Sequence, residues 1–275
     1  MARLQWKKPR LVDVYVSTQT LPAINHKNLR FGGEKLPMNQ GRFSFNHDPE
    51  SEVMPGVKWG RPGWVPSPAF WLMLATNAAD SDDYIAPAGT PLHHELGFCL
   101  LGGYGVRMEM NRAAWSKLLH EGFFEVGRRP EAKEIESLLR EPVLVGDRMA
   151  RYRFPKQRAM RLSGALRAIE DDPPPTTSVS EFRRNLMRIA GIGPKTASWL
   201  ARNWLGSDDV AIIDIHVLRA GQRMKLFKNK VKLPADYDWL EDRFLQFARA
   251  LSVRASLLDA IIWREMRQLT SRASF

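Results

Sequence analysis

The chain has 275 residues, 44% of them hydrophobic, enough to bury a core in one large domain or two small ones. Lysine and arginine number 41 against 30 aspartates and glutamates, and the formal net charge of +11 favours a polyanionic partner such as nucleic acid. Cys99 is the only cysteine, which excludes an intrachain disulfide, a four-thiolate zinc site and an all-cysteine iron–sulfur cluster.

The six histidines are scattered apart from the pair His93-His94, so no metal or other cofactor is expected. No stretch approaches the roughly 18 apolar residues needed to cross a bilayer. Met1 to Arg10 is basic but has no apolar core of a secretory signal. The simplest reading is an intracellular, cytoplasmic monomer without membrane contact.

Residues 1 to 62 are rich in Pro, Gly, Asn and charge, with a short alternating run at Leu11 to Val16. They read as a loop-rich N-terminal extension with some strand. A helical domain is expected over 63–275. Its first apolar segment is Ala69 to Ala75, followed by a polar loop from Asp80 to Pro91. Glu95 to Leu101 reads as a buried helix carrying Leu96, Phe98, Leu100 and Leu101, and it stops at Gly102-Gly103-Tyr104-Gly105. Helices are also expected over Asn111 to Leu119 and Glu131 to Arg140. A basic set follows between residues 148 and 167. Leu162, Leu166 and Ile169 give that stretch a packed side, and Arg153, Lys156 and Arg158 are candidates for phosphate contact on the other.

Asp171-Asp172-Pro173-Pro174-Pro175 is a break. Ser178 and Glu181 form a capping-box pattern, and the helix behind them runs with Phe182, Leu186 and Ile189 inward as far as Gly191-Ile192-Gly193. Pro194 sits where proline is tolerated, at the start of the next helix, which is expected to stop near Gly206. Helix, Gly-Ile-Gly, helix over 179–206 is a helix-hairpin-helix. Gly191 and Gly193 permit positive φ and close approach of a phosphate, and the free amides from Lys195 and Thr196 onward face it. Such a hairpin by itself grips DNA without reading sequence.

Val210 to Ile213 is a short apolar run that delivers Asp214, which can cap a helix from His216 to about Met224. Asp214 lies 19 positions after Lys195, a spacing that allows one helix out and a return to the same cleft. A last helix spans Ala255 to Leu269 and places Asp259 and Trp263 four apart on one face. No β-α-β alternation appears. The expected fold is mainly α, two helical subdomains flanking a cleft with the hairpin.

Gly-x-Gly-x-Lys followed by an aspartate about one helix later resembles the signature of the helix-hairpin-helix (HhH-GPD) DNA glycosylase superfamily. Three segments resemble the archaeal-type 8-oxoguanine glycosylases more closely: Glu95 to Leu101, Ile212 to His216, and Leu258 to Trp263. This resemblance implies a bifunctional DNA glycosylase and AP lyase acting on a base flipped from double-stranded DNA, nucleoid-associated when bound, with 8-oxoguanine the leading substrate. Lys195 would be the nucleophile. Burial and a helix N-terminus both favour the free amine it needs, and the sequence supplies the second. Asp214 would stabilise charge at the sugar. Trp199, His216, Asp259, Trp263 and Tyr104 would contact the base or wall its pocket.

The Gly102-to-Gly105 turn departs from the family pattern. Its glycines could make room for a larger base, which leaves a hypermodified, phage-type base as an alternative substrate. Two other readings stay open from sequence: a non-catalytic DNA-binding protein, and a glycosylase-fold nuclease or defence factor whose extension sets its target.

Overall fold

A computed structural model describes residues 45–78, 84–103 and 105–272, with side chains as far as residue 269. The Leu11–Val16 run and Tyr104 lie outside the described residues. Near the start, β1 (Glu52–Met54) and β2 (Val57–Lys58) pair antiparallel. Then come α1 (Pro68–Asn77), α2 (Leu92–Leu101), α3 (Met108–His120) and α4 (Ala132–Arg140). A second antiparallel pair, β3 (Val143–Val145) and β4 (Arg148–Ala150), precedes α5 (Pro155–Asp171). The hairpin helices are α6 (Val179–Leu186) and α7 (Pro194–Leu205). The chain closes with α8 (Ile215–Arg223), α9 (Tyr237–Ala250) and α10 (Ala255–Arg272).

Helix starts follow their local chemistry. Ser67 Oγ accepts from Phe70 N at 3.1 Å at the head of α1, and Pro68 occupies its first turn. Glu131 and Glu134 satisfy each other's backbone amides in a capping box at α4. Ser178 Oγ accepts from Glu181 N at 3.4 Å at α6, as the sequence pattern predicts. The first hairpin helix is shorter than expected. It ends at Leu186, and turns carry the chain from Met187 to Gly191. α7 ends on Gly206 in the left-handed conformation, φ 67°.

Two hydrophobic cores divide the molecule. One is built by the β1–β2 hairpin, α1, α8, α9 and α10, with Trp71, Phe244, Phe247, Leu258 and Ile262 at its centre. The other is built by α2 to α7 and holds Leu96, Phe124, Ile135, Leu162, Phe182 and Leu200. Each such side chain contributes about 1.5–3 kcal/mol by leaving water. The fold is therefore mainly α with two helical subdomains. The second subdomain is inserted into the first, and the chain returns between Val210, in the second core, and Ala211, in the first.

Two expectations change here. Met54, Val57 and Trp59 are buried in the first core, and Phe45 packs against it. The stretch 45–62 thus packs onto the helical domain, with β1 against α9. The second change is α9, for which the sequence reading predicted no element. It buries Tyr237, Leu240, Glu241, Phe244 and Phe247.

Candidate active site

The hairpin presents Lys195 in the first turn of α7. Gly193 is the N-cap, with no side-chain bond to the helix, and Pro194 follows. Ala197 N bonds to Gly193 O at 3.0 Å, while helix geometry gives the amides of Lys195 and Thr196 no intrahelical acceptor. Those amides and the positive end of the α7 dipole make a place for an anion.

The two hairpin glycines differ in what they do. Gly191 has φ +94°, which favours glycine, and a Cβ there would lie 2.7 Å from Arg161 Cδ, so that flexible side chain would have to shift. Gly193 has φ −100° and ψ −179°, extended backbone open to any residue, and a Cβ on it would meet nothing within 4 Å. The expectation of positive φ therefore holds at Gly191 and not at Gly193. The space beside Gly193 is open to something outside the chain.

Lys195 is half-buried, its Nζ 5.4 Å from the centre of the Trp199 ring. Trp199 stands edge-on to Phe98 at 5.9 Å, and Phe98 stands edge-on to Trp115 at 5.7 Å, so the ring behind the amine is fixed by α2 and α3. A Cβ at Gly102 would come within 2.9 Å of Asn111 Nδ2 and 3.3 Å of Trp199. That glycine lets the tryptophan pack closely; it does not open room for a larger base. Cys99, on α2, feels the Lys195 charge. Burial, first, and the Glu95 carboxylate push its thiol well above the usual range, against the pull of Lys195 and Arg202.

Asp214 is the N-cap of α8. Its Oδ1 accepts from His216 N at 2.8 Å and Val217 N at 2.9 Å, and Oδ2 takes no part in the cap. Capping and a second role are thus compatible, one oxygen for each. His216 is half-buried, with its Nδ1 enclosed and unpartnered. Burial lowers its basicity against the pull of Asp214, and the nearby Arg219 and Arg267 charges lower it further. A neutral imidazole beside the carboxylate follows. Trp263 is half-buried under the Arg267 guanidinium, 5.1 Å from its ring centre, and Arg267 reaches over to Glu109 at the head of α3.

Asp259 is buried with both carboxylate oxygens bonded inside the protein. It is 1% exposed; Oδ1 is paired with Arg202 Nη1 and Oδ2 accepts from Ile212 N at 2.8 Å. Burial pushes it up to about 6, against Arg202 and the Ile212 amide and with the help of Asp214's charge. Its place is a strut between α10, α7 and the segment leading to Asp214. The chain of bonds continues from Arg202 Nε to Asn203 Oδ1 at 2.9 Å, and from Asn203 Nδ2 to Glu95 Oε1 at 2.7 Å.

Of the basic candidates, Arg158 is also structural. Its Nη1 donates to Leu100 O at 2.9 Å and closes the C-terminal end of α2, and burial lowers its basicity. Arg153 and Lys156 are exposed at the head of α5; the Arg153 guanidinium lies over the Phe154 ring at 5.0 Å, next to the Gly105 turn. Sequence reasoning missed Arg202, Glu241, Tyr237 and Ser198, which act across the boundary between the two cores. Glu241 lies in the unread helix α9, and its burial is visible only in the structure.

Residues 83–253, well over half of the chain, match the family model of the 8-oxoguanine DNA glycosylase helix-hairpin-helix domain. The 8-oxoguanine DNA glycosylase of Thermotoga maritima is 29% identical, over 64% of this chain and 80% of that one, with a TM-score of 0.51. The Methanocaldococcus jannaschii 8-oxoguanine glycosylase/lyase, solved with a 15mer DNA containing 8-oxoguanine, is 28% identical over 62% of this chain and 78% of its own, with a TM-score of 0.49. With the hairpin, Lys195 at its second helix and the capped Asp214 all in place, the chain belongs to the 8-oxoguanine DNA glycosylase family.

Proposed function

We propose that the protein is a bifunctional glycosylase and AP lyase, with Lys195 the nucleophile and Asp214 its acidic partner. The observation that carries this reading is half-buried Lys195, its Nζ 5.4 Å from the Trp199 ring centre in the first turn of the hairpin's second helix. A lysine used only as a phosphate clamp needs no aromatic wall behind it.

In the proposed reaction the free amine attacks C1′ of the extruded nucleotide. The glycosidic bond breaks, and the base leaves with the electron pair and gains a proton. Loss of the amine's protons and opening of the sugar give a Schiff base. Removal of a C2′ proton then expels the 3′ phosphate and cuts the strand. Asp214 Oδ2, outside the cap, stabilises the positive charge that develops at the sugar. Trp199 walls the pocket, Trp263 offers a stacking face, and neutral His216 offers an imidazole hydrogen bond. Gly191, Gly193, Thr196, Arg153 and Lys156 hold the backbone of double-stranded DNA.

The family and the Thermotoga maritima relative support 8-oxoguanine as the excised base. No described helix is long and apolar enough to cross a membrane; the proposal takes the protein as a cytoplasmic, nucleoid-associated monomer. The test is a panel of duplexes, each with one defined lesion, scored separately for base release and strand cleavage. Release and cleavage at 8-oxoguanine support the reading. Base release without cleavage, with no covalent intermediate, removes the lyase step, and preference for another base removes the substrate assignment.

A further inference from the structure

The segment that delivers Asp214 has no partner strand among the described residues, yet three successive backbone amides in it are bound by buried side chains. Ala211 N donates to Glu241 Oε1 at 3.0 Å, Ile212 N to Asp259 Oδ2 at 2.8 Å, and Ile213 N to Tyr237 Oη at 3.2 Å. Tyr237 Oη also donates to Ala211 O at 2.9 Å. Glu241 goes further. The same Oε1 accepts from Ser198 Oγ at 2.8 Å, and Oε2 is paired with Arg183 Nη2 at 2.7 Å.

Ser198 lies about one turn after Lys195 on α7, Ala211 leads into Asp214, and Arg183 belongs to the first hairpin helix. One side chain, 4% exposed, therefore touches all three pieces on which the proposed chemistry depends. We propose that Glu241 is the positioning residue that fixes Lys195 and Asp214 relative to one another, with Tyr237 in support; this rests on the glycosylase/lyase reading of those two residues.

The residue type fits the task. Three donors from three elements converge on one group, and a carboxylate is acceptor on both oxygens. Glutamine would turn an NH2 toward one of the donors, and aspartate is too short to keep all three. A buried ion pair contributes little net stability by itself, so its value here lies in geometry. A displacement of about 1 Å in a reacting group can cost on the order of 100-fold in rate.

The test uses the full chain and an 8-oxoguanine duplex in single-turnover reactions, with affinity for the duplex measured in parallel. Glu241→Gln is expected to lower the single-turnover rate by about 10- to 100-fold while affinity changes by less than about threefold. Tyr237→Phe keeps the ring and removes only the hydroxyl, and is expected to lower the rate about three- to tenfold. In an Asp214→Asn background the Tyr237→Phe loss should shrink, because the group being positioned is gone. Should Glu241→Gln fail to fold, Glu241→Asp and Tyr237→Phe carry the same test. Wild-type rates in the variants, or a Tyr237→Phe loss of equal size in both backgrounds, overturn the positioning role and leave the enzymatic reading intact. A wild-type chain that forms no covalent adduct with the duplex overturns the glycosylase/lyase reading of Lys195, and the positioning role falls with it.

Discussion

Lys195 and Asp214 reach the boundary between the two cores by opposite means. Lys195 rides on a helix whose start is written locally: a glycine N-cap, a proline in the first turn and a left-handed glycine at the end. Asp214 ends an extended segment with no ladder of its own, held by Glu241, Asp259 and Tyr237 from two distant helices. The helix start that carries Lys195 is thus set by short-range chemistry, and the segment that carries Asp214 by tertiary contacts. The helix start should tolerate changes elsewhere in the fold, and the segment should be sensitive to them.

The sharpest break in that pair is Lys195→Ala. It removes the nucleophile and leaves the helix start intact, so strand cleavage should fall by about 10⁴-fold or more in single-turnover assays with little change in urea stability. The Asp214 side should respond differently. Arg202→Met strands the buried Asp259 carboxylate and slackens its hold on Ile212, which should lower stability by roughly 3–5 kcal/mol in urea denaturation. Asp214→Asn keeps a capping oxygen but loses the charge. The rate should drop about 10²–10³-fold, while the unfolding midpoint stays close to wild type.

These contrasts explain what the sequence could tell. The hairpin was readable because caps and breakers act over a few residues: Ser178, Gly191, Pro194 and Gly206 each announce a boundary. The place of Lys195 and Trp199 on α7 and the capping role of Asp214 were readable for the same reason. The burial of Asp259 was not legible, because it depends on what α10 packs against, which helical spacing does not reveal. The bond of Arg158 was hidden likewise, since its carbonyl partner lies 58 residues away in the chain. Helix α9 and the strap on residues 211–213 depend wholly on contacts between distant segments.

Two smaller effects sharpen the comparison. Gly193→Ala meets no steric obstacle in the free protein, so stability should stay within about 1 kcal/mol of wild type. If a phosphate lies against that backbone, duplex affinity should still fall, by about tenfold in anisotropy titrations. His216 supplies the smallest effect. Burial holds its proton affinity below that of a free imidazole, so its contribution to stability is complete above a pH of about 6.5 and is lost as pH falls through the lowered native value. His216→Gln should therefore gain thermal stability relative to wild type as pH is lowered from neutrality.

The central claim is that the amine at position 195 bonds to the sugar. The direct measurement is borohydride reduction of the wild-type reaction with an 8-oxoguanine duplex, followed by peptide mapping of the cross-linked protein by mass spectrometry. The account predicts a single modified peptide carrying the sugar remnant on Lys195, absent from Lys195→Ala. A remnant on another lysine, or an undiminished adduct with the alanine variant, would contradict it.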